Sequence, residues 1–235
     1  MPVLALACRA DAGLPQAEEV LCQATAHARA SAAFEAPSYL YTKRTTVQNI
    51  DAADHVTNQK VQVKSVRSRP IGPADATHWS RTYGVNLDQE LLDRYSLTLT
   101  KRIELAGRPT LEITFSPRNP PIPAHRPLDY LLNRAAGTLW VDEEDYEVAK
   151  ADLRLLQAVN LSVLGEIDEL TFRFERTRSA DGGWLMTRTE STFRGRRLLN
   201  PIQTRHVTEY TAYKRLEPSH RDAHAAADTQ VTAGG

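Results

Sequence analysis

The sequence is poor in reactive chemistry. It holds two cysteines, Cys8 and Cys22, in 235 residues. Cys8 falls in a leader remnant, which leaves Cys22 unpaired and argues against a disulfide framework. Cys22 reads as a small apolar residue on a helix. No apolar run approaches the roughly 18 residues needed for a membrane-spanning helix. No sign of charge dominates either: Lys+Arg and Asp+Glu each number 29. A neutral chain lacks the broad positive field of a nucleic-acid binder. Also missing are a G-x-G-x-x-G turn, a Walker A loop, a G-x-S-x-G elbow and a C-x-x-C pair. No cofactor is expected from these absences, and no catalytic residue is assigned.

Two polar clusters hint at metal chemistry without completing it. His220 and His224 stand four apart with Asp222 between them, but an Ala-rich tail surrounds them and no third ligand is placed. Asp142-Glu143-Glu144-Asp145 lacks the ligand spacing and bend glycine of a calcium loop, and reads as a solvated hairpin turn. A third cluster is basic. Arg194, Arg196 and Arg197, with Arg173, Arg176, Arg178 and Arg188, form either a strip that meets acidic headgroups or an acidic partner, or cross-strand pairs with Glu169, Glu175 and Glu190.

What is present is pattern. Val3 to Ala7 is a short apolar run, and Ala10-Asp11-Ala12 precedes Gly13 like a cleavage site. Residues 1–12 therefore resemble the end of a secretory signal peptide, and an exported protein is expected. Pro15 to Phe34 reads as a helix. Glu18 and Glu19 lie in its first turn, and Val20, Leu21, Ala24, Ala28 and Ala32 form a stripe of small apolar side chains. From Tyr39 the period becomes two. Strands are predicted near Tyr39–Val47, His55–Ser68, His78–Val85, Tyr95–Leu105, Leu111–Ser116, Gly137–Val141, Tyr146–Leu156, Glu166–Arg178, Trp184–Gly195 and Gln203–Lys214. Leu87 to Asp93 is a helical turn, and Leu128 to Ala135 a short helix. Lys101 interrupts the apolar phase of Tyr95, Leu97, Leu99, Ile103 and Leu105, which predicts an edge position or a bulge. Residues 13–217 form one domain and 218–235 a disordered tail. The predicted class is mainly β: one large curved antiparallel sheet of about ten strands in consecutive hairpins, with one apolar face partly covered by two helices.

One set of segments has a further likeness. Gly137-Thr138-Leu139-Trp140-Val141-Asp142 is followed by Tyr146 to Ala151. Leu128 to Ala135 precedes it, and Gly182-Gly183-Trp184-Leu185, Arg194-Gly195-Arg196, Thr208-Glu209-Tyr210 and Tyr213 follow. In this order, over about Ala17 to Leu216, the chain resembles the LolA/LolB-like lipoprotein-carrier superfamily, and more narrowly its lipoprotein-sorting-like branch. The resemblance implies an incomplete β-barrel, a strongly curved sheet with the N-terminal and central helices on its concave face. It also implies a non-enzymatic periplasmic carrier with an apolar cavity for a lipid or lipoprotein acyl chain. The expected lining is Leu97, Leu99, Leu111, Ile113, Phe115, Leu139, Val141, Leu170, Phe172 and Phe174. Pro117 to Pro127 is the candidate cover, and the helix from Leu128 is the candidate competitor for the cavity. A second reading is an envelope sensing or scaffolding module that binds another protein through its polar face, with Tyr210. A monomer is expected.

Overall fold

A computed structural model describes residues 15–33, 38–67, 93–125, 127–160, 165–197 and 200–216. The expectations for 1–12, His78–Val85, most of Leu87–Asp93, His220, His224 and 218–235 lie outside these residues.

The described chain is one antiparallel sheet with two helices. In chain order the elements are α1 (Ala17–Ala33), β1 (Tyr39–Ile50), β2 (Val56–Arg67), β3 (Tyr95–Leu105), β4 (Arg108–Pro117), α2 (Pro127–Leu132), β5 (Ala135–Asp142), β6 (Val148–Leu155), β7 (Val159–Asn160), β8 (Glu166–Arg178), β9 (Trp184–Arg197) and β10 (Asn200–Arg215). The strand order is β2-β1-β10-β9-β8-β6-β5-β4-β3, with the two-residue β7 on β8. Among the described residues β2 and β3 end the sheet and do not pair, so the sheet is not closed into a barrel, as the resemblance implied. One detail differs. The hairpins are not all consecutive, because β1 pairs with β10, which places β2 and β3 at opposite edges.

Turn chemistry sets the hairpins. Ala106 and Gly107, at φ 51° and 78°, make the two-residue turn whose twist matches its strands. Asp51 Oδ1 accepts the backbone N–H groups of Ala53 and His55 at 2.9 Å each, which closes β1 onto β2 as an Asx turn. The break at Lys101 is a bulge: register shifts between Leu99 and Lys101.

α1 covers one half of one face. Ala17, Val20, Leu21 and Ala24 recur at helical spacing and pack on Leu111, Ile113, Leu139, Val141 and Ala151, with Leu97, Leu99, Phe115 and Phe174 around them. Alanines at two of the four helix positions let the backbone lie close to the sheet.

α2 is tied to the start of β3. Arg94 Nη2 donates to Asp129 Oδ1 at 2.9 Å, and Arg94 Nη1 to Asn133 Oδ1 at 2.8 Å. Tyr95 Oη donates to the Leu132 carbonyl at 2.8 Å. The Pro-rich segment before α2 is held by the same group. His125 N donates to Asp129 Oδ2, and Asn133 Nδ2 to the Ile122 carbonyl at 2.6 Å.

Candidate functional site

Cross-strand register decides which side chains share a face. Leu97 lies opposite Phe115, and Leu99 opposite Ile113. Leu111 meets Val141 and Ile113 meets Leu139. Leu139 meets Ala151, which meets Phe174, and Leu153 meets Phe172. Leu170 meets Phe193. All ten residues expected to line a cavity therefore fall on the face that carries α1.

They do not share one environment. Leu111, Ile113 and Val141 are fully buried and Leu139 nearly so, packed beneath α1. Leu170 and Phe172 lie outside that cluster and are half-buried. Phe172 sets its ring 6.3 Å from that of Phe174, which marks the boundary. Beyond it the same face runs through Phe193, Ser191 and Thr189 of β9 to Thr204, His206 and Thr208 of β10. Thr208 shares a 3.2 Å hydroxyl hydrogen bond with Thr45 of β1. The face thus grades from aliphatic core through phenylalanine to threonine and histidine. Sequence reasoning missed Phe193. Its signal was its place two residues before Gly195, in phase with Thr189 and Ser191.

The opposite face carries ionic rows. Trp140 Nε1 donates to Glu112 Oε2 at 3.0 Å, Lys150 Nζ lies 5.1 Å from the Trp140 ring centroid, and Lys150 pairs with Glu175 at 3.1 Å. Arg188 bridges Glu190 at 3.1 Å and Glu209 at 3.9 Å. Arg173 pairs with Asp152, Arg194 with Asp54 and Glu169, and Arg196 with Glu166. Past the bulge between Glu175 and Arg176, at the turns and on the α1 side, Arg176 pairs with Glu147, which also lies 3.7 Å from His27 of α1, and Arg178 pairs with Asp145, at 2.6 Å each. Arg173, Arg176, Arg178, Arg188, Arg194 and Arg196 are therefore paired with carboxylates rather than gathered into a basic strip. Tyr210, expected on a free polar surface, is buried. Its ring sits 6.0 Å from that of Tyr41, which stacks on Tyr213 at 5.0 Å. A cavity of about 460 Å³ also opens on this polar side, where Thr114, Thr138, Trp140, Asp152, Arg154 and Leu156 line it.

At the hairpin ends a cage forms that no sequence spacing announces. Arg108 and Arg176 each place a guanidinium 5.9 Å from the Trp184 ring centroid. Trp184 Nε1 donates to Asp145 Oδ2 at 3.0 Å. Asp142 is fully buried, not solvated as the acidic run suggested. It accepts Arg108 Nε at 2.6 Å and Nη2 at 2.8 Å, and the backbone N–H groups of Glu144 and Asp145 at 3.1 and 2.8 Å. Burial pushes its carboxyl upward, but Arg108 and the two amides outweigh burial and hold it below the ordinary value. Asp181 is drawn down to about 2 by the Ser179 hydroxyl and the Tyr39 phenol.

Both carboxylates bind protons less readily in the fold than in the unfolded chain. Their contribution is complete above the unfolded value of about 4 and is lost as pH falls through the folded values. Stability is expected to decline as pH falls from about 4 towards 2. Asp142→Asn is expected to lower stability at neutral pH and to flatten that decline. Urea midpoints measured across the acid range check this. A decline as steep in the variant as in the parent contradicts it.

Among the described residues no group of three or more His, Cys, Asp or Glu side chains is placed to hold a metal ion, and no helix is long and apolar enough to cross a membrane. Cys22 is a free, half-buried thiol on α1.

No family model matches the chain, and no curated protein matches it. Among solved structures, it is similar to a domain assigned to outer membrane lipoprotein sorting from Vibrio parahaemolyticus, at 11% identity and a TM-score of 0.38, covering 90% of this chain and 98% of that one. It is similar to a LolA superfamily protein from Nitrosomonas europaea, at 12% identity and a TM-score of 0.30, covering 88% and 96%. It is also similar to a MucA/MucB complex from Pseudomonas aeruginosa, at 13% identity and a TM-score of 0.26, covering 83% and 100%. The first two are proteins of the kind its sequence motifs resemble.

Proposed function

We propose that this chain is a non-enzymatic binding protein of the bacterial cell envelope, exported to the periplasm, which shelters a lipid or lipoprotein acyl chain on the face that carries α1. One observation carries this reading. α1 packs on the β4–β6 side of a continuous apolar face, while Leu170 and Phe172, in register with that core, stay half-buried outside the helix cluster. An acyl chain laid along α1 extends the core over Leu170, Phe172 and Phe193. Each methylene it buries contributes about 0.8 kcal/mol, so a short stretch of chain gives useful affinity. The resemblance to the lipoprotein carriers supports this ligand class and the location. The same reading takes 1–12 as the leader, 13–217 as the binding domain and 218–235 as a tail.

The structure also changes the expected competitor. α2 is hydrogen-bonded to Arg94 and Tyr95 at the start of β3, whereas α1 already lies on the apolar face with small side chains. We assign release to a shift of α1 over Phe172 and Phe174, since any shift between loaded and empty forms needs a state that binds the ligand differently.

Native mass spectrometry of protein purified from a bacterial host is expected to show a lipid adduct. Delipidated protein is expected to take up a fluorescent fatty acid. Phe193→Asp is expected to weaken uptake by about tenfold or more, because it sets a charge in the apolar contact, and Phe193→Leu is expected to retain it. Protein free of lipid that also fails to take up the probe rules the reading out.

A further inference from the structure

The two edges of this open sheet are built differently. The β3 edge is blunted: its register breaks between Leu99 and Lys101, and it carries charges of both signs, with Lys101 and Arg102 paired to Glu112 and Glu143. The β2 edge lacks the bulge and the paired charges of both signs along its main run, and carries cations alone. From Leu40↔Arg67 to Asn49↔Asn58 its pairing with β1 is unbroken, and register shifts only at the Asn49/Ile50 end. Among the described residues no strand lies outside β2. Such an edge presents a row of unpaired backbone donors and acceptors, which is a template for strand addition.

Its side chains select what is added. Val61 and Val63 stand on one side of the strand, 42% and 60% exposed. Lys60, Gln62 and Lys64 stand on the other, and Arg67 ends it. β2 contains no Asp or Glu, and among the described residues no carboxylate pairs with Lys60, Lys64 or Arg67. β2 thus carries three cations and no anion, which makes the outermost described strand positive. The same lysines oppose pairing between two copies of β2, since an antiparallel pair centred on Gln62 sets Lys60 against Lys64 of the other chain.

We propose that the β2 edge binds an extended acidic segment of a partner protein by β-augmentation, in which alternating carboxylates meet Lys60 and Lys64 and the intervening apolar residues meet Val61 and Val63. By register Lys60, Gln62 and Lys64 stand at the far edge of the α1 face, opposite Val47, Thr45 and Lys43 of β1, beyond the cluster that α1 covers, and the proposal does not depend on the acyl-chain reading. At about 3.3 Å per residue, the twelve residues of β2 accept a segment of about 40 Å.

The test uses the full chain and a synthetic peptide of alternating Glu and Val, as long as β2. The peptide is expected to bind with an affinity that falls as salt rises, and to protect backbone amides of β2 from hydrogen exchange. Lys60→Glu combined with Lys64→Glu is expected to weaken binding about tenfold, and Val63→Thr, which keeps the charge, to weaken it less. A Lys-Val peptide of the same length is expected not to bind. Equal binding of both peptides, no binding by either, or protection outside β2 overturns the proposal. So does self-association that the double reversal abolishes, which assigns the edge to a second copy. Binding to phosphatidylglycerol vesicles that the acidic peptide cannot displace also overturns it, because it assigns the lysines to a lipid surface.

Discussion

Asp129→Ala is expected to destabilise the protein by about 3–5 kcal/mol, the usual cost of removing one partner from a buried ion pair. The Arg94 and Asp129 side chains are 2% and 1% exposed and meet at 2.9 Å. Removing the carboxylate leaves a guanidinium in a site that water does not reach. It also frees the backbone N–H of His125, which donates to Asp129 Oδ2. For a chain of this size the loss corresponds to a fall of about 6–20 °C in Tm. The pair itself need not be a net stabiliser, because its desolvation offsets much of its attraction. Replacing both members by apolar residues, Arg94→Met with Asp129→Leu, is therefore expected to restore much of the loss. A double-mutant cycle read by thermal unfolding checks this. If Asp129→Ala alone costs less than about 1 kcal/mol, the site is more open to water than its burial implies. The prediction also bears on function. A segment fixed by a buried ion pair makes a poor gate, which is why the proposed binding mechanism assigns the moving part to α1.

What the sequence made legible was periodicity. Alternation placed Leu97, Leu99, Leu111, Ile113 and Phe115 on one face without any three-dimensional information, because successive strand residues point to opposite sides. The fault at Lys101 was readable for the same reason, as a bulge resets the phase. Periodicity does not name neighbours, however. Nothing in β1 or β10 alone says that they pair, so the arrangement that leaves β2 at an edge was out of reach. The helical stripe of Val20, Leu21 and Ala24 showed that α1 has a partner but not which strands it covers. That one fact divides the ten candidate residues into packed core and half-buried boundary. Asp142 was misread for a related reason. In sequence it heads an acidic run, and only the register of β4 on β5, with Thr110 opposite Asp142, shows Arg108 within reach. The segments behind the family resemblance prove to be mostly architecture. Asp142 organises a turn, Trp184 seats two guanidinium groups, and Tyr213 donates to the Met186 carbonyl at 2.6 Å. This is why they spoke for a fold more clearly than for a ligand.

Gly137 is the sharpest case, and Gly137→Ala is expected to cost about 3 kcal/mol or more, at the upper end for overpacking by a single methyl group. A Cβ built at Gly137 falls on the backbone carbonyl oxygen of Asp152, well inside contact distance, and within 2.9 Å of Phe115 Cζ. The obstacle on the β6 side is backbone, so no rotamer change relieves it. β5 and β6 have to separate, which loosens the pairing of Gly137 with Leu153 and the fit of Phe115 across it. A strand glycine is expected where another backbone approaches this closely, and an aromatic ring over it recovers the missing contact. Gly195 repeats the arrangement on β9, where a Cβ meets the Glu166 carbonyl oxygen and lies 3.1 Å from Phe193 Cζ. Gly183 supplies the contrast. There a Cβ comes within 2.7 Å of Tyr39 Oη, the tip of a buried side chain bonded to Asp181; a side chain rather than backbone has to shift, and Gly183→Ala is expected to cost about 1–2 kcal/mol. Equilibrium unfolding of the three variants in urea tests the ordering. Equal losses at 137 and 183 mean that the strands around Gly137 part easily. The apolar face would then be soft at the point where Phe115 borders the proposed acyl-chain site, and the lipid would have a second way in.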